Sequence, residues 1–201
     1  MSTRLRSSIQ SGVLLLTIES DDGYPRIERT VMSELARRME TLGRDVGLRG
    51  CVIIGSDRAF AAGAEISELA ELSPADAFEF SRGGQRVFHA IEISAKPVVV
   101  AIRGFCMGGG LDLALACHVR LATPDAVFAH PGGALGILTG WGGTQRLSRL
   151  IGRSRAMELL STGRRITAYE ALDWQLISRI IPASDLLADA VRLAGKPDAR
   201  S

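Results

Sequence analysis

The sequence predicts an α/β protein built on a largely parallel sheet. Three observations carry that expectation. Short apolar runs, Val13–Ile18, Cys51–Ile54 and Pro97–Ile102, have the length and β-branched content of strands buried on both faces. Other segments carry apolar residues at helical spacing or open on helix-capping residues. Strands and helices alternate from end to end with no linker stretch and no internal repeat, the pattern of right-handed crossovers in one sheet.

The elements follow in order. Val13–Ile18 reads as the first strand, and Asp21-Asp22-Gly23-Tyr24-Pro25 as a turn. Val31, Leu35, Met39 and Leu42 recur at helical spacing, so Thr30 to Asp45 is an amphipathic helix. Cys51–Ile54 is a short buried strand ended by Gly55, and a short helix is expected near Glu65 to Leu72. Ser73-Pro74 followed by Asp76 is a helix start, with a capping serine, a proline at the first position and an acid in the first turn, and that helix runs to about Ile93. His118–Ala122 and Ala126–Ala129 read as two short strands around a Thr-Pro-Asp turn, and Pro131–Gly143 as a glycine-rich loop. Helices are expected over Thr144–Ile151 and Ser154–Ser161, the second ended by Gly163, and a capping box at Thr167–Glu170 opens another. Leu176–Ile181 is strand-like, Ser184–Leu193 a last helix, and a polar tail begins at about Gly195.

One stretch organises the rest. After the buried run ending at Ile102 come Gly104 and then Gly108-Gly109-Gly110, which lead into the helix-forming Leu111-Asp112-Leu113-Ala114-Leu115-Ala116. A helix starting on glycines exposes its free N–H groups with no side chains in the way, and its dipole favours negative charge there. Such a site can hold an anion or a developing oxyanion. Close packing of helix on strand explains the glycines equally well. Neither Gly-x-Gly-x-x-Gly nor Gly-Lys-Ser/Thr is present, so dinucleotide and phosphate-loop readings have no support.

Composition sets the outer bounds. With 201 residues, 46% apolar and 23% charged, the chain suits one globular domain with a sizeable core. A net charge of +2, scattered arginines and 5% aromatics give no nucleic-acid signal. Cys51, Cys106 and Cys117 sit in apolar surroundings and read as reduced core cysteines, which points to the cytoplasm. His89, His118 and His130 lack metal-ligand spacing, so no metal is expected. Val13–Ile18 is too short for a signal or membrane segment; Arg4, Arg6 and nearby serines resemble a transit peptide only slightly.

Three stretches together resemble the enoyl-CoA hydratase/isomerase, or crotonase, family. Ala59-Phe60-Ala61-Ala62-Gly63-Ala64-Glu65-Ile66 is similar to its first signature. Lys96-Pro97, Gly104 and Gly108 through Ala114 are similar to its second, and Pro131, Gly136, Gly140 and Gly142-Gly143-Thr144-Gln145-Arg146-Leu147 to its third. Gly163 through Ala171 continue the match, which runs from about Val13 onward. The resemblance implies a crotonase-like spiral of ββα units in a single domain over residues 1–201, with the C-terminal helical part of the family cut short. It implies an acyl-CoA thioester as substrate, no cofactor beyond that coenzyme A, no nucleic-acid or membrane partner, and assembly into a homotrimer or hexamer. It also implies catalytic roles for Ala64 and Gly109, whose N–H groups would form an oxyanion hole, and for Asp112 as acid/base. Substrate would lie along Arg26, Arg58, Ala62, Ala64, Ile66, Gly108, Gly109, Pro131, Gly132 and Trp141.

The departures bear on chemistry. Hydratases of the family use two carboxylates to activate one water. The first position falls on Asp112, one methylene shorter than the usual glutamate, and the second on Gly132, which has no side chain. Arg29 stands where the family usually has asparagine. The alternatives are therefore isomerase, decarboxylase or thioesterase chemistry on an acyl-CoA, or a non-catalytic coenzyme-binding homologue. His130 reads as a buried core histidine, with a role as base the alternative. Trp141 reads equally as an acyl-pocket wall or a loop anchor, and Glu65 and Glu68 as charges complementing a helix N-terminus.

Overall fold

The apolar runs become neighbouring strands. In the computed structural model, which describes residues 2–196, β2 (Val13–Ser20), β3 (Gly50–Ile54), β5 (Val98–Ile102), β7 (Val119–Ala122) and β10 (Arg179–Ile180) pair in that order, all parallel. Side chains alternate across this sheet. Val52, Val99, Ala101 and Leu121 face α8 (Leu186–Ala194), while Cys51, Ile53, Val98, Val100 and Ile102 face α1 (Arg29–Arg44), α3 (Pro74–Glu92) and α4 (Gly109–Ala116). Burial on both faces is why these strands read as unbroken apolar runs.

A second sheet runs beside the first. Each central strand of the main sheet is followed within a few residues by a three-residue strand: β4 (Ala59–Ala61) after β3, β6 (Phe105–Met107) after β5, β8 (Val127–Ala129) after β7. These pair as β4-β6-β8, parallel, and β9 (Ile166–Thr167) adds antiparallel to β8. A helical segment follows each pair: α2 (Ile66–Ala70) with α3, then α4, then a 3₁₀ turn (Pro131–Leu135) with α5 (Gly143–Ile151) and α6 (Arg153–Thr162). The result is three stacked ββα units, each placing its strand-to-helix turn beside the next.

Local chemistry explains the helix boundaries. Ser73 caps α3 by accepting from the Asp76 N–H at 3.2 Å, with Pro74 at the first position, and Thr167 accepts from the Glu170 N–H at 3.2 Å to start α7 (Ala168–Asp173). Gly163 ends α6 in the left-handed region, as its position in the sequence suggests.

Four expectations need correction. A strand, β1 (Thr3–Gln10), precedes the expected first one and pairs antiparallel with β2 through a tight turn at Ser11-Gly12, both at positive φ. It lies at the sheet edge with most residues exposed, and Arg4 and Arg6 pair with Glu19 on β2, so polar surface hides its strand character. β4 and β6 are absent from the sequence reading because three residues show no periodicity. The strand-like Leu176–Ile181 shrinks to Arg179–Ile180, since Leu176 and Ile177 turn into the core instead of the ladder. The Pro131–Gly143 loop contains a 3₁₀ turn. The polar tail expected from about Gly195 lies, apart from Gly195 and Lys196, outside the described residues.

Two adjacent glycines in α3 differ in surroundings. A methyl at Gly83 meets nothing within 4 Å, whereas one at Gly84 would overlap the Trp141 indole. Gly83→Ala should therefore stabilise the protein by about 0.5–1 kcal/mol through helix propensity. Gly84→Ala should destabilise it by about 1–3 kcal/mol through overpacking. Urea unfolding of the two variants should show midpoints displaced in opposite directions.

Candidate functional site

Two glycine turns from successive ββα units meet at one end of the second sheet. Gly63 stands at φ +106 after β4, and Gly108 at φ +51, ψ −120 after β6, a conformation that only glycine adopts without strain. A Cβ at Gly63 would sit 3.5 Å from the Gly109 nitrogen and 3.2 Å from the Met107 carbonyl oxygen. Backbone bonds fix both turns: Ile27 N–H donates to the Gly63 carbonyl at 2.8 Å, Ala62 N–H to Pro25 at 2.7 Å, and Gly108 N–H to Ala129 at 2.9 Å. The N–H groups of Ala64 and Gly109 take no part in those bonds. Gly109 is the first residue of α4, so its N–H has no acceptor within the helix.

Beside these turns lies a cavity of about 520 Å³. Ala62, Ala64, Ile66, Gly108, Gly109, Pro131, Gly132 and Trp141, all expected at a substrate site, line it together. Its apolar wall comes from residues that the sequence reading left unassigned: Leu69 of α2, Phe80 of α3, Ile137 and Leu138 of the glycine-rich loop, and Leu160 of α6. Trp141 is 4% exposed, packs tilted against Phe80 at 5.3 Å and meets Phe88 edge-on at 5.6 Å, and its six-membered ring lies against Gly109, where a methyl would overlap it. Trp141 thus both lines the cavity and anchors the loop. Gln85 donates to the Gly140 carbonyl at 2.7 Å and Arg146 to that of Trp141 at 2.9 Å, holding the loop in place.

Three expected site residues do not line the cavity. Arg58 is on an exposed loop beside Gly23. Arg26 is half-buried and paired with Asp22 at 2.9 Å and Glu65 at 3.1 Å. Glu65 also caps α2 through the Ser67 N–H, and Glu68 pairs with Arg29, which stacks over Phe80 at 5.4 Å. These acids therefore have structural partners.

Asp112 is the third. Its carboxylate is fully buried behind the wall, with Oδ2 accepting from the Thr139 hydroxyl. Oδ1 lies 3.4 Å from His130 Nε2, and neither atom has a hydrogen-bond partner among the described residues. A methyl on Gly143 would overlap Oδ1, so that glycine makes room for the carboxylate. Burial pushes the Asp112 carboxyl up to about 6, opposed by the Thr139 hydrogen bond, the Arg146 charge and the backbone amides of Trp141 and Gly143. His130 is also buried, 3% exposed, and burial holds its imidazole down to about 4. His130 is thus buried as expected, yet it lines the cavity and faces a carboxylate.

Gly132 is close-packed. A Cβ there would stand 2.5 Å from the Ile137 carbonyl oxygen, and Ile137 N–H donates to the Gly132 carbonyl at 2.9 Å. The position holds no side chain and has no room for one while the loop keeps this shape.

The buried pair generates a test by linkage. Asp112 retains its proton in the folded state from pH 3.8 to about 6, where the unfolded chain has lost it, so its contribution makes stability fall as pH rises through that window. His130 stays neutral from about pH 4 to 6.5 while the unfolded chain is protonated, so its contribution makes stability rise there. In the parent protein the two slopes oppose each other. Relative to it, Asp112→Asn should gain stability with rising pH between 4 and 6, by about 2–3 kcal/mol in all, and His130→Gln should lose a similar amount. Urea unfolding at several pH values measures both.

The fold has known counterparts. The family model described as enoyl-CoA hydratase/isomerase matches residues 8–198. A probable mitochondrial enoyl-CoA hydratase of Dictyostelium discoideum is 36% identical over 182 residues, 90% of this chain and 65% of that protein. A crotonyl-CoA hydratase of Syntrophomonas wolfei is 38% identical over 183 residues, 90% of this chain and 70% of that one. The chain thus spans about two thirds of the length of these relatives. The crystal structure of an enoyl-CoA hydratase from Bacillus anthracis superposes with a TM-score of 0.89 at 30% identity, covering 94% of this chain and 74% of that one. With stacked ββα units, glycine turns at the expected spacing and a match over nearly its whole length, the chain belongs to the enoyl-CoA hydratase/isomerase family.

Proposed function

We propose that the protein is an acyl-CoA thioester enzyme that stabilises a thioester enolate. The observation that carries this reading is the apposition of the Gly63-Ala64 turn and the start of α4 at Gly109. Two N–H groups fixed there would hold the thioester oxygen as it gains charge. In a water-poor site, each such donor is worth about 3–4 kcal/mol to the transition state. The apolar cavity beside them takes the acyl group, with Trp141 as its wall next to the oxyanion site. Coenzyme A enters as part of the substrate. It would run outward past Ala62 toward the Tyr24–Arg26 segment, which the Ala62–Pro25 bond holds alongside, and toward Arg58. Asp112, which the resemblance makes the acid/base residue, does not line the cavity.

One observation favours a second reading within the same chemistry. Gly132 offers no second carboxylate, so a water held as hydratases hold it lacks one of its two anchors. Double-bond isomerisation, decarboxylation or hydrolysis of an acyl-CoA fits such a site, as does a coenzyme-binding homologue without turnover. The names of the relatives support hydration first.

The reading extends to assembly and location. A homotrimer or hexamer is proposed, with exposed apolar residues such as Ile93, Met157 and Tyr169 available for contacts. Among the described residues no helix is long and apolar enough to cross a membrane, and Cys51, Cys106 and Cys117 are free and buried. Three such thiols suit a reducing compartment, and the cytoplasm is the proposed location.

Gly109→Pro removes one N–H and places a ring against Trp141. It should lower turnover of a short enoyl-CoA, followed by loss of the conjugated thioester absorbance, by about 100-fold or more. Turnover within a few-fold of the parent rejects the oxyanion assignment. Light scattering across a concentration series should give three or six times the chain mass; a monomer throughout rejects the proposed assembly.

A further inference from the structure

Two atoms behind the cavity wall lack partners and face one another. Asp112 Oδ1 and His130 Nε2 are each buried without a hydrogen bond among the described residues, and 3.4 Å separates them. Leaving either unsatisfied in an apolar interior is costly. The arrangement that satisfies both is an Nε2–H directed at the carboxylate, loose at this distance and tightened by a small ring rotation. Loose geometry of this kind is common in catalytic hydrogen bonds before substrate binds. That tautomer leaves Nδ1 with a free lone pair.

The cavity itself supplies the second observation. Asp112 does not line it, and Gly132 has no side chain. Among the described residues, His130 is the one titratable side chain in the lining. We infer that His130 is the catalytic residue that exchanges protons with the acyl group in this cavity, and that Asp112 is its positioning residue. The inference rests on the thioester reading above and names the proton-transfer group within it.

The step balances on one proton. As a water oxygen bonds to the β-carbon of an enoyl thioester, His130 Nδ1 takes a proton from that water. The π pair of the double bond moves through to the thioester oxygen, giving an enolate under the Ala64 and Gly109 N–H groups. The pair then returns, and the imidazolium delivers its proton to the α-carbon. Asp112, ionised at neutral pH, stabilises that imidazolium from behind. A double-bond shift uses the same nitrogen to carry a proton from the γ-carbon to the α-carbon. Burial keeps the imidazole neutral, the form required of a base at pH 7. Besides His130, the charged and titratable groups that bear on Asp112 are Arg146 of α5 and the Cys106 thiol of β6.

The test compares the parent with His130→Gln, His130→Ala and Asp112→Asn. Its readouts are turnover of crotonyl-CoA, exchange of the α-protons of butyryl-CoA in D₂O, and the ¹⁵N NMR signals of the His130 ring. We expect His130→Gln to lower kcat by about 100-fold or more with KM within a few-fold, and free imidazole to restore part of the activity of His130→Ala. Asp112→Asn should lower kcat by roughly ten-fold and move the acidic limb of the kcat–pH profile to lower pH, which a purely structural role would leave in place. The unliganded parent should show Nε2 protonated and Nδ1 bare at pH 7. An active parent whose His130→Gln variant keeps turnover within about three-fold overturns this inference and leaves the thioester reading standing. So does a ring protonated at Nδ1. A parent that neither turns over crotonyl-CoA nor exchanges α-protons overturns the thioester reading itself and this inference with it.

Discussion

The close approach of two backbone turns sets the architecture around the site. The Gly63 turn and the Gly108-Gly109 turn belong to different ββα units, and they meet because β4 and β6 pair in parallel, with a register shift between Ala59 and Ala61. Gly63 and Gly108 both stand at positive φ, so a side chain at either would strain its turn, and one at Gly63 would also crowd the Met107 carbonyl. The register in turn depends on the main sheet, where β3 and β5 pair along Cys51–Ile54 and Val98–Ala101. A main sheet buried on both faces thus anchors the short strands whose turns meet at one end of the second sheet. Rigid elements place backbone donors more accurately than loops do.

A second constraint is the burial of Asp112. A carboxylate in a dry interior needs compensation, and here it comes from elements remote in sequence. Thr139 bonds one oxygen, Arg146 lends its field while also holding Trp141 and Glu92, and His130 faces the other oxygen. The glycine-rich loop is therefore an electrostatic partner of α4 as well as a lid on the cavity. Gly143 contributes by having no side chain where the carboxylate must sit.

The long buried elements were legible because burial on both faces writes unbroken apolar runs, and burial of one helix face writes helical spacing. Val98–Ile102 and the Val31-Leu35-Met39-Leu42 stripe are of this kind. The edge strand β1 was illegible because its exposed residues carry no apolar alternation. The three-residue strands β4 and β6 were too short to carry any pattern. Within the site, the glycines could be read from spacing and the resemblance it supports. The setback of Asp112 behind the wall could not, since it depends on a hydroxyl 27 residues away and on a chain one methylene short. The resemblance put Arg26 and Arg58 along the substrate, but nothing in the sequence indicated that Asp22 and Glu65 would pair with the first.

The packing at Gly132 bears on how such a site can change. The obstacle to a side chain there is the Ile137 main-chain oxygen, which no substitution at residue 137 removes. Restoring a carboxylate at 132 therefore requires the backbone between Gly133 and Gly140 to take a new course at the same time. That same segment carries Thr139, the partner of Asp112, and runs directly into Trp141, which packs on Gly109. Changes at these positions are epistatic: the loop must be exchanged as a block, and a chain that varies one residue at a time is confined to the present arrangement.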